Sequence, residues 1–140
     1  MNNKQLADSL KELVKLYSDS AWNYERALDQ VQDEELKPQL AEMHEEHLDH
    51  MENLNSYIRQ LGEMPPEYLF SGEMSSELKV ITNELADDEI IRFLRENEKV
   101  LSKKLQVLVE NVQIPEIVHD LEEDLEDENE YIETLQNFMS

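Results

Sequence analysis

The segment LKPQLAEMHEEHLDHMENLNSYIRQLG, residues 36–62, decides the fold. Leu36, Leu40, Met43, His47, Met51, Leu54, Ile58 and Leu61 recur at steps of three and four, the period of a helix buried along one face. One step of that stripe is a histidine. Pro38 belongs near the first turn, because deeper in the helix it would cost a hydrogen bond and a clash. Gly62 is a C′ residue by type, so the helix is predicted over about 35–61.

Three further stripes flank it. Leu6, Leu10, Leu13, Tyr17, Ala21, Tyr24, Leu28 and Val31 predict a helix over about 3–32, with Asn2 or Asn3 as its cap. Ile90, Leu94, Glu98, Leu101, Leu105, Leu108 and Val112 predict one over about 88–112, capped by Asp87 or Asp88. Val118, Leu121, Leu125, Glu128, Ile132, Leu135 and Met139 predict one over about 115–139, opened by Pro115 at its first position. Short connections near 33 and 113 make two antiparallel hairpins. The 62–87 connection is long enough to traverse a helix, so helices 2 and 3 should run parallel. The expected fold is all-α: one domain over 1–140, a four-helix bundle of two hairpins joined by a long crossover. A short helix starting at Ser75 or Ser76 and carrying Leu78, Ile81 and Leu85 is expected within that crossover.

Composition agrees and excludes several function classes. With two Gly and four Pro among 140 residues, and many Glu, Leu, Lys and Gln, the composition leans all-helical. A formal charge of −22 repels phosphate backbones and anionic lipid, so nucleic acid and membrane surfaces are poor partners and metal cations good ones. Cysteine is absent, which removes disulfides, thiolate metal sites and thiol nucleophiles. There is neither a transmembrane-length apolar run nor an apolar signal core, so the cytoplasm is the expected location. Calcium loops, glycine-rich phosphate loops and phosphotransfer histidine motifs do not occur.

The polar residues standing at core steps carry the chemistry. Counted from one end of the bundle, Glu25 lies about 7 residues down, His44 about 9, His47 about 12, Glu98 about 10 and Glu128 about 11, a spread of roughly 8 Å at helical rise. Each helix then offers a carboxylate or an imidazole to one layer. Unpaired groups of this kind are costly to bury, and a bound cation would pair all of them at once. Hard carboxylates with imidazole suit iron or manganese, so Glu25, His44, His47, Glu98 and Glu128 are the candidate ligands. His50 lies about 120° from His44 around the helix, so the three histidines do not share one ion. His119 is expected at the surface. Tyr17, Tyr24 and Tyr131 are expected in the core.

Tyr24-Glu25-Arg26-Ala27, Ala41-Glu42-Met43-His44-Glu45-Glu46-His47, Glu96-Asn97-Glu98 and Leu125-Glu126-Asp127-Glu128-Asn129-Glu130-Tyr131-Ile132 resemble the four ligand segments of the ferritin-like superfamily. The likeness is greatest to small bacterial four-helix-bundle proteins with a helical insert in the crossover. That resemblance implies an iron or manganese centre, dinuclear in full members, with ferroxidase- or peroxidase-like chemistry. The chain departs from the pattern: Glu-x-x-His reads His44-x-x-His47 in helix 2 and Glu126-x-x-Asn129 in helix 4, so Glu126 competes with Glu128 as the helix 4 ligand. The alternative is a metal-free interaction or stress-response module whose polar layer is an internal network fixing helix register. Trp22 lies off the core stripe, and with Tyr68, Leu69 and Phe70 it could form the patch of a two-fold homodimer.

Overall fold

The computed structural model describes residues 1–66, 78, 80–82 and 84–139. Four helices carry the architecture: α1 (Asn3–Gln30), α2 (Leu36–Gln60), α3 (Asp87–Asn111) and α4 (Pro115–Asn137). No strand occurs among the described residues. Cross-links fix the directions. Glu12 meets Lys104, Tyr24 meets Glu98 and the backbone of Gln32 meets Asp87, so α1 and α3 are antiparallel. Lys4 meets Glu63 and Tyr24 meets Met43, so α1 and α2 are antiparallel. Helices α2 and α3 therefore run parallel, as the long crossover requires.

The ends are built as the residue types dictate, with one exception. The Asn2 side chain accepts the Gln5 N–H at 2.8 Å while the Gln5 side chain accepts the Asn2 N–H at 2.9 Å, a reciprocal cap on α1. Gly62 takes φ +83° and donates to the Arg59 carbonyl, and the Glu63 N–H reaches back to Ile58, which closes α2. Pro115 opens α4. The exception is α3, where Ala86 holds the cap position. Asp87 instead accepts the backbone N–H groups of Gln32 and Asp33, each at 3.0 Å, tying the α1–α2 turn to the start of α3.

The core falls into two apolar clusters. One holds Leu6 to Tyr17 of α1, Met51 to Ile58 of α2, Leu101 to Val112 around the end of α3, and Ile117 and Leu121 of α4. The other holds Tyr24 to Val31, Leu36 to Met43, Ile90 to Leu94, and Tyr131 and Leu135. Among the described residues nine polar side chains are buried, namely Ser18, Ser20, Asn23, His47, His50, Asn97, Glu98, Asp124 and Glu128, and on every helix they fall in the gap between the clusters.

The expected faces of α1, α2 and α3 are the buried ones, apart from the half-buried Leu28 and Leu61. The α4 face is corrected. Ile117, Leu121, Asp124, Glu128, Tyr131 and Leu135 point inward, while Val118, Leu125 and Ile132 are half-buried beside it. In the crossover Leu78 and Ile81 are buried, and the Ile81 N–H donates to the Asn23 side chain at 2.9 Å. The expected crossover helix lies largely outside the described residues, and those described between 78 and 86 have irregular backbone. Tyr68, Leu69 and Phe70 also lie outside them. Trp22 is half-buried under the Arg26 guanidinium, 5.3 Å from its ring centroid.

A Cβ added at Gly62 would meet nothing within 4 Å, so only its backbone conformation restricts substitution. Gly62→Ala should lower the unfolding free energy by about 1 kcal/mol, measured by chemical denaturation with an unchanged slope.

Candidate metal centre

At mid-depth, His47 of α2 projects between Glu98 of α3 and Glu128 of α4, all three fully buried. Its Nδ1 lies 2.6 Å from the Met43 carbonyl. A carbonyl only accepts, so Nδ1 carries the proton and Nε2 is left facing the carboxylates. Nε2 is 2.9 Å from Glu98 Oε1 and 3.6 Å from Glu128 Oε1, and neither approach has the alignment of a hydrogen bond. Glu98 Oε1 accepts from the Tyr24 hydroxyl at 2.8 Å and from Ser20 at 3.4 Å. Glu98 Oε2 and both oxygens of Glu128 are buried without a donor.

Such a layer is electrostatically incomplete. Burial is the largest single influence and pulls the His47 imidazole down, but the Glu98 carboxylate, the Met43 carbonyl and Glu46 together outweigh it and raise the His47 pKa from its ordinary value. A protonated His47 answers one carboxylate and leaves the second uncompensated. Three aromatic rings pack around this imidazole at centroid distances of 5.4 Å for Tyr17, 5.0 Å for Tyr24 and 5.2 Å for Tyr131. Burial, then the Glu98 charge, pushes the Tyr24 hydroxyl well above its ordinary pKa, so it remains a donor.

The structure brings His47, Glu98 and Glu128 within 4.8 Å of one another by their ligand atoms. It leaves Glu25 and His44 outside that trio. Glu25 Oε1 lies 3.6 Å from His44 Nε2, with the Glu25 side chain 53% exposed. The reason is angular: Tyr24 takes the inward direction, and the next residue turns about 100° away. Ser20 and Tyr24, not Glu25, are what α1 presents to the layer. Of the two expected α4 ligands, Glu128 is buried and Glu126 is exposed.

Sequence reasoning missed a second grouping. His50 is buried with Nδ1 2.9 Å from Asp124 Oδ1 and Nε2 3.4 Å from Asp127 Oδ2. The available signal was that His50 lies only about 60° from His47, although 120° from His44. His119 is exposed, as expected, 3.2 Å from Glu123.

With metal chelated, Glu98 and Glu128 should respond oppositely to replacement. Glu128→Leu removes two unsatisfied buried oxygens and should be neutral or stabilise by about 1–3 kcal/mol. Glu98→Leu strands His47, Tyr24 and Ser20 and should cost about 3 kcal/mol. Urea unfolding in EDTA measures both.

The family model described as "Domain of unknown function (DUF2383)" matches residues 5–111. Among solved structures the chain is similar to a ferritin-like, diiron-carboxylate protein from Bacillus anthracis str. Ames, at TM-score 0.81 and 20% identity over 100% of both chains. It is similar to the DPS protein from Vibrio cholerae O1, a member of the ferritin-like diiron-carboxylate superfamily, at TM-score 0.86 and 14% identity over 97% of this chain and 89% of that one. It is also similar to a dodecameric thioferritin, the bacterioferritin-related protein from Bacteroides fragilis, at TM-score 0.85 and 15% identity over 98% and 85%. At these identities the likeness establishes a ferritin-like fold. No curated protein matches the chain. No helix among the described residues is long and apolar enough to cross a membrane.

Proposed function

This chain belongs to the DUF2383 family, and we propose that it is a metal-binding protein of ferritin-like fold that holds iron or manganese on His47, Glu98 and Glu128. The observation that carries this reading is the set of three buried carboxylate oxygens left without a donor beside His47: Glu98 Oε2 and both oxygens of Glu128. A neutral His47 with two carboxylates sums to −2, which a divalent cation brings to zero. The donors are one imidazole nitrogen and carboxylate oxygens, a set suited to Fe(II) or Mn(II).

The chain's own groups prepare that site. The Met43 carbonyl fixes the His47 tautomer so that Nε2 is the free lone pair. Tyr24 and Ser20 hold Glu98 Oε1 and leave Oε2 available. The two apolar clusters exclude water on either side. Iron held there would supply one-electron chemistry toward O₂ or peroxide, the reaction class of a ferroxidase- or peroxidase-like protein. A metal-free network accounts for the Tyr24–Glu98 bond, but it gives Glu128 no donor. That difference favours the metal reading over the interaction-module reading.

Untagged protein loaded anaerobically with Fe(II) or Mn(II) and desalted should retain metal. Free metal at 100 times its dissociation constant should stabilise the fold by about 2.7 kcal/mol relative to EDTA. Glu98→Gln with Glu128→Gln should abolish the retention attributable to this trio. A wild-type melt unmoved by iron, manganese and zinc would reject the proposal.

A further inference from the structure

Of the described tyrosines, Tyr24 donates its hydroxyl to Glu98 at 2.8 Å, Tyr57 to Asp120 and Tyr131 to Glu46 at 2.5 Å. Tyr17 differs. It is fully buried, and its hydroxyl has no hydrogen-bond partner. Such a group is destabilising in a core, so its presence needs a reason. Tyr17 lies two turns before Tyr24 on α1 and shares its inward face. Its ring meets the His47 imidazole edge-on, with centroids 5.4 Å apart. Burial first, then the charges of Asp124 and Glu98, push its pKa well above the ordinary value, so in the metal-free protein it keeps its proton. The charge of the layer supplies the reason. Neutral His47 with Glu98 and Glu128 sums to −2, which balances a divalent ion and falls one short for a trivalent one. In a sealed site between two apolar clusters that surplus is costly. A tyrosine that gives up its proton supplies the missing charge, on an oxygen donor that iron takes from tyrosine in other proteins.

We propose that Tyr17 is a further ligand of iron held on His47, Glu98 and Glu128, binding as the phenolate once that iron is ferric. The step balances. A one-electron oxidant such as ferricyanide takes the electron from Fe(II), the Tyr17 O–H bond breaks, the oxygen–iron bond forms and one proton leaves to solvent. Manganese that stays divalent leaves Tyr17 protonated, so the residue favours iron over manganese. The proposal rests on the preceding reading of the trio and adds to it a donor from α1, the helix that gives the layer no carboxylate.

Untagged protein loaded anaerobically with Fe(II), desalted and oxidised with ferricyanide tests it. The wild type should develop a visible phenolate-to-iron charge-transfer band, with tyrosine ring modes enhanced in resonance Raman spectra. Y17F should keep its iron without the band and release one proton fewer per iron on oxidation. It should lose Fe(III) to a chelator faster by about tenfold or more, with its Mn(II) affinity unchanged. Y24F should keep the band. In EDTA, Y17F should melt no lower than the wild type, because the hydroxyl it removes bonds nothing. Iron retained by the wild type without the band would overturn the proposal and leave the trio standing. That result needs no variant, so a Y17F that fails to fold does not shield the proposal. A band that survives Y17F, or one that persists in E98Q/E128Q, would overturn it as well. Wild-type protein that retains no iron would reject the trio and the proposal together.

Discussion

Buried charge confined to one layer is the constraint on which this bundle depends. Apolar stripes alone tolerate sliding, since one leucine replaces another a turn away. The layer does not. Shifting α3 by one helical turn, about 5.4 Å, would carry Glu98 away from Tyr24 and His47 and into an apolar cluster. The same holds for Glu128 on α4 and His47 on α2. Helix depth is thus set by electrostatics, and the clusters above and below supply the burial that makes any mismatch costly. The crossover serves the same end: Asn23, itself in the polar gap, accepts the Ile81 N–H, and the Gln30 side chain binds both Thr82 and Leu85.

The bundle was legible in the sequence because its signal is redundant. Each stripe repeats over six or more turns, and the three connections have unequal lengths, which leaves one topology. Capping was legible where a residue has a single use, as for Gly62 and Pro115. It was not legible at Asp87, whose carboxylate serves a distant turn that only tertiary contact reveals. The α4 face failed for a related reason. Residues 117 and 118, 124 and 125, and 131 and 132 are adjacent pairs in which either member continues a stripe. A hydrophobic template selects Leu125 over Asp124, yet the layer at that depth is polar and takes the carboxylate. Asp124 was therefore left out of the α4 stripe.

The histidines follow from the same geometry. Steps of three residues advance about 300° around a helix, so His44 and His50 lie about 60° to either side of His47. One heptapeptide thereby addresses three directions: His44 toward Glu25 on α1, His47 into the centre, and His50 toward Asp124 on α4. Reading the three from His44 makes His50 appear opposed to the site. Reading them from His47, the one at a core step, makes both flanking residues neighbours of it. Glu25 was assigned to the layer by depth, but depth without angle is insufficient, and Tyr24 already holds the inward direction.

The surface charge acquires a role in this arrangement. A net −22 spread over a small bundle raises the local concentration of every cation, more so at low ionic strength. That attraction is indiscriminate, since Mg(II) and Ca(II) respond to it as Fe(II) and Mn(II) do. Discrimination has to come from donors that hard, strongly hydrated ions use poorly, and an imidazole nitrogen is such a donor. The polar layer carries two, at His47 and at His50, both buried. Both imidazoles lie between carboxylates, His50 beside Asp124 and Asp127 and His47 beside Glu98 and Glu128. The carbonyl of Met43 and the carboxylate of Asp124, which hold the two imidazoles in the same tautomer, are the groups that fix them.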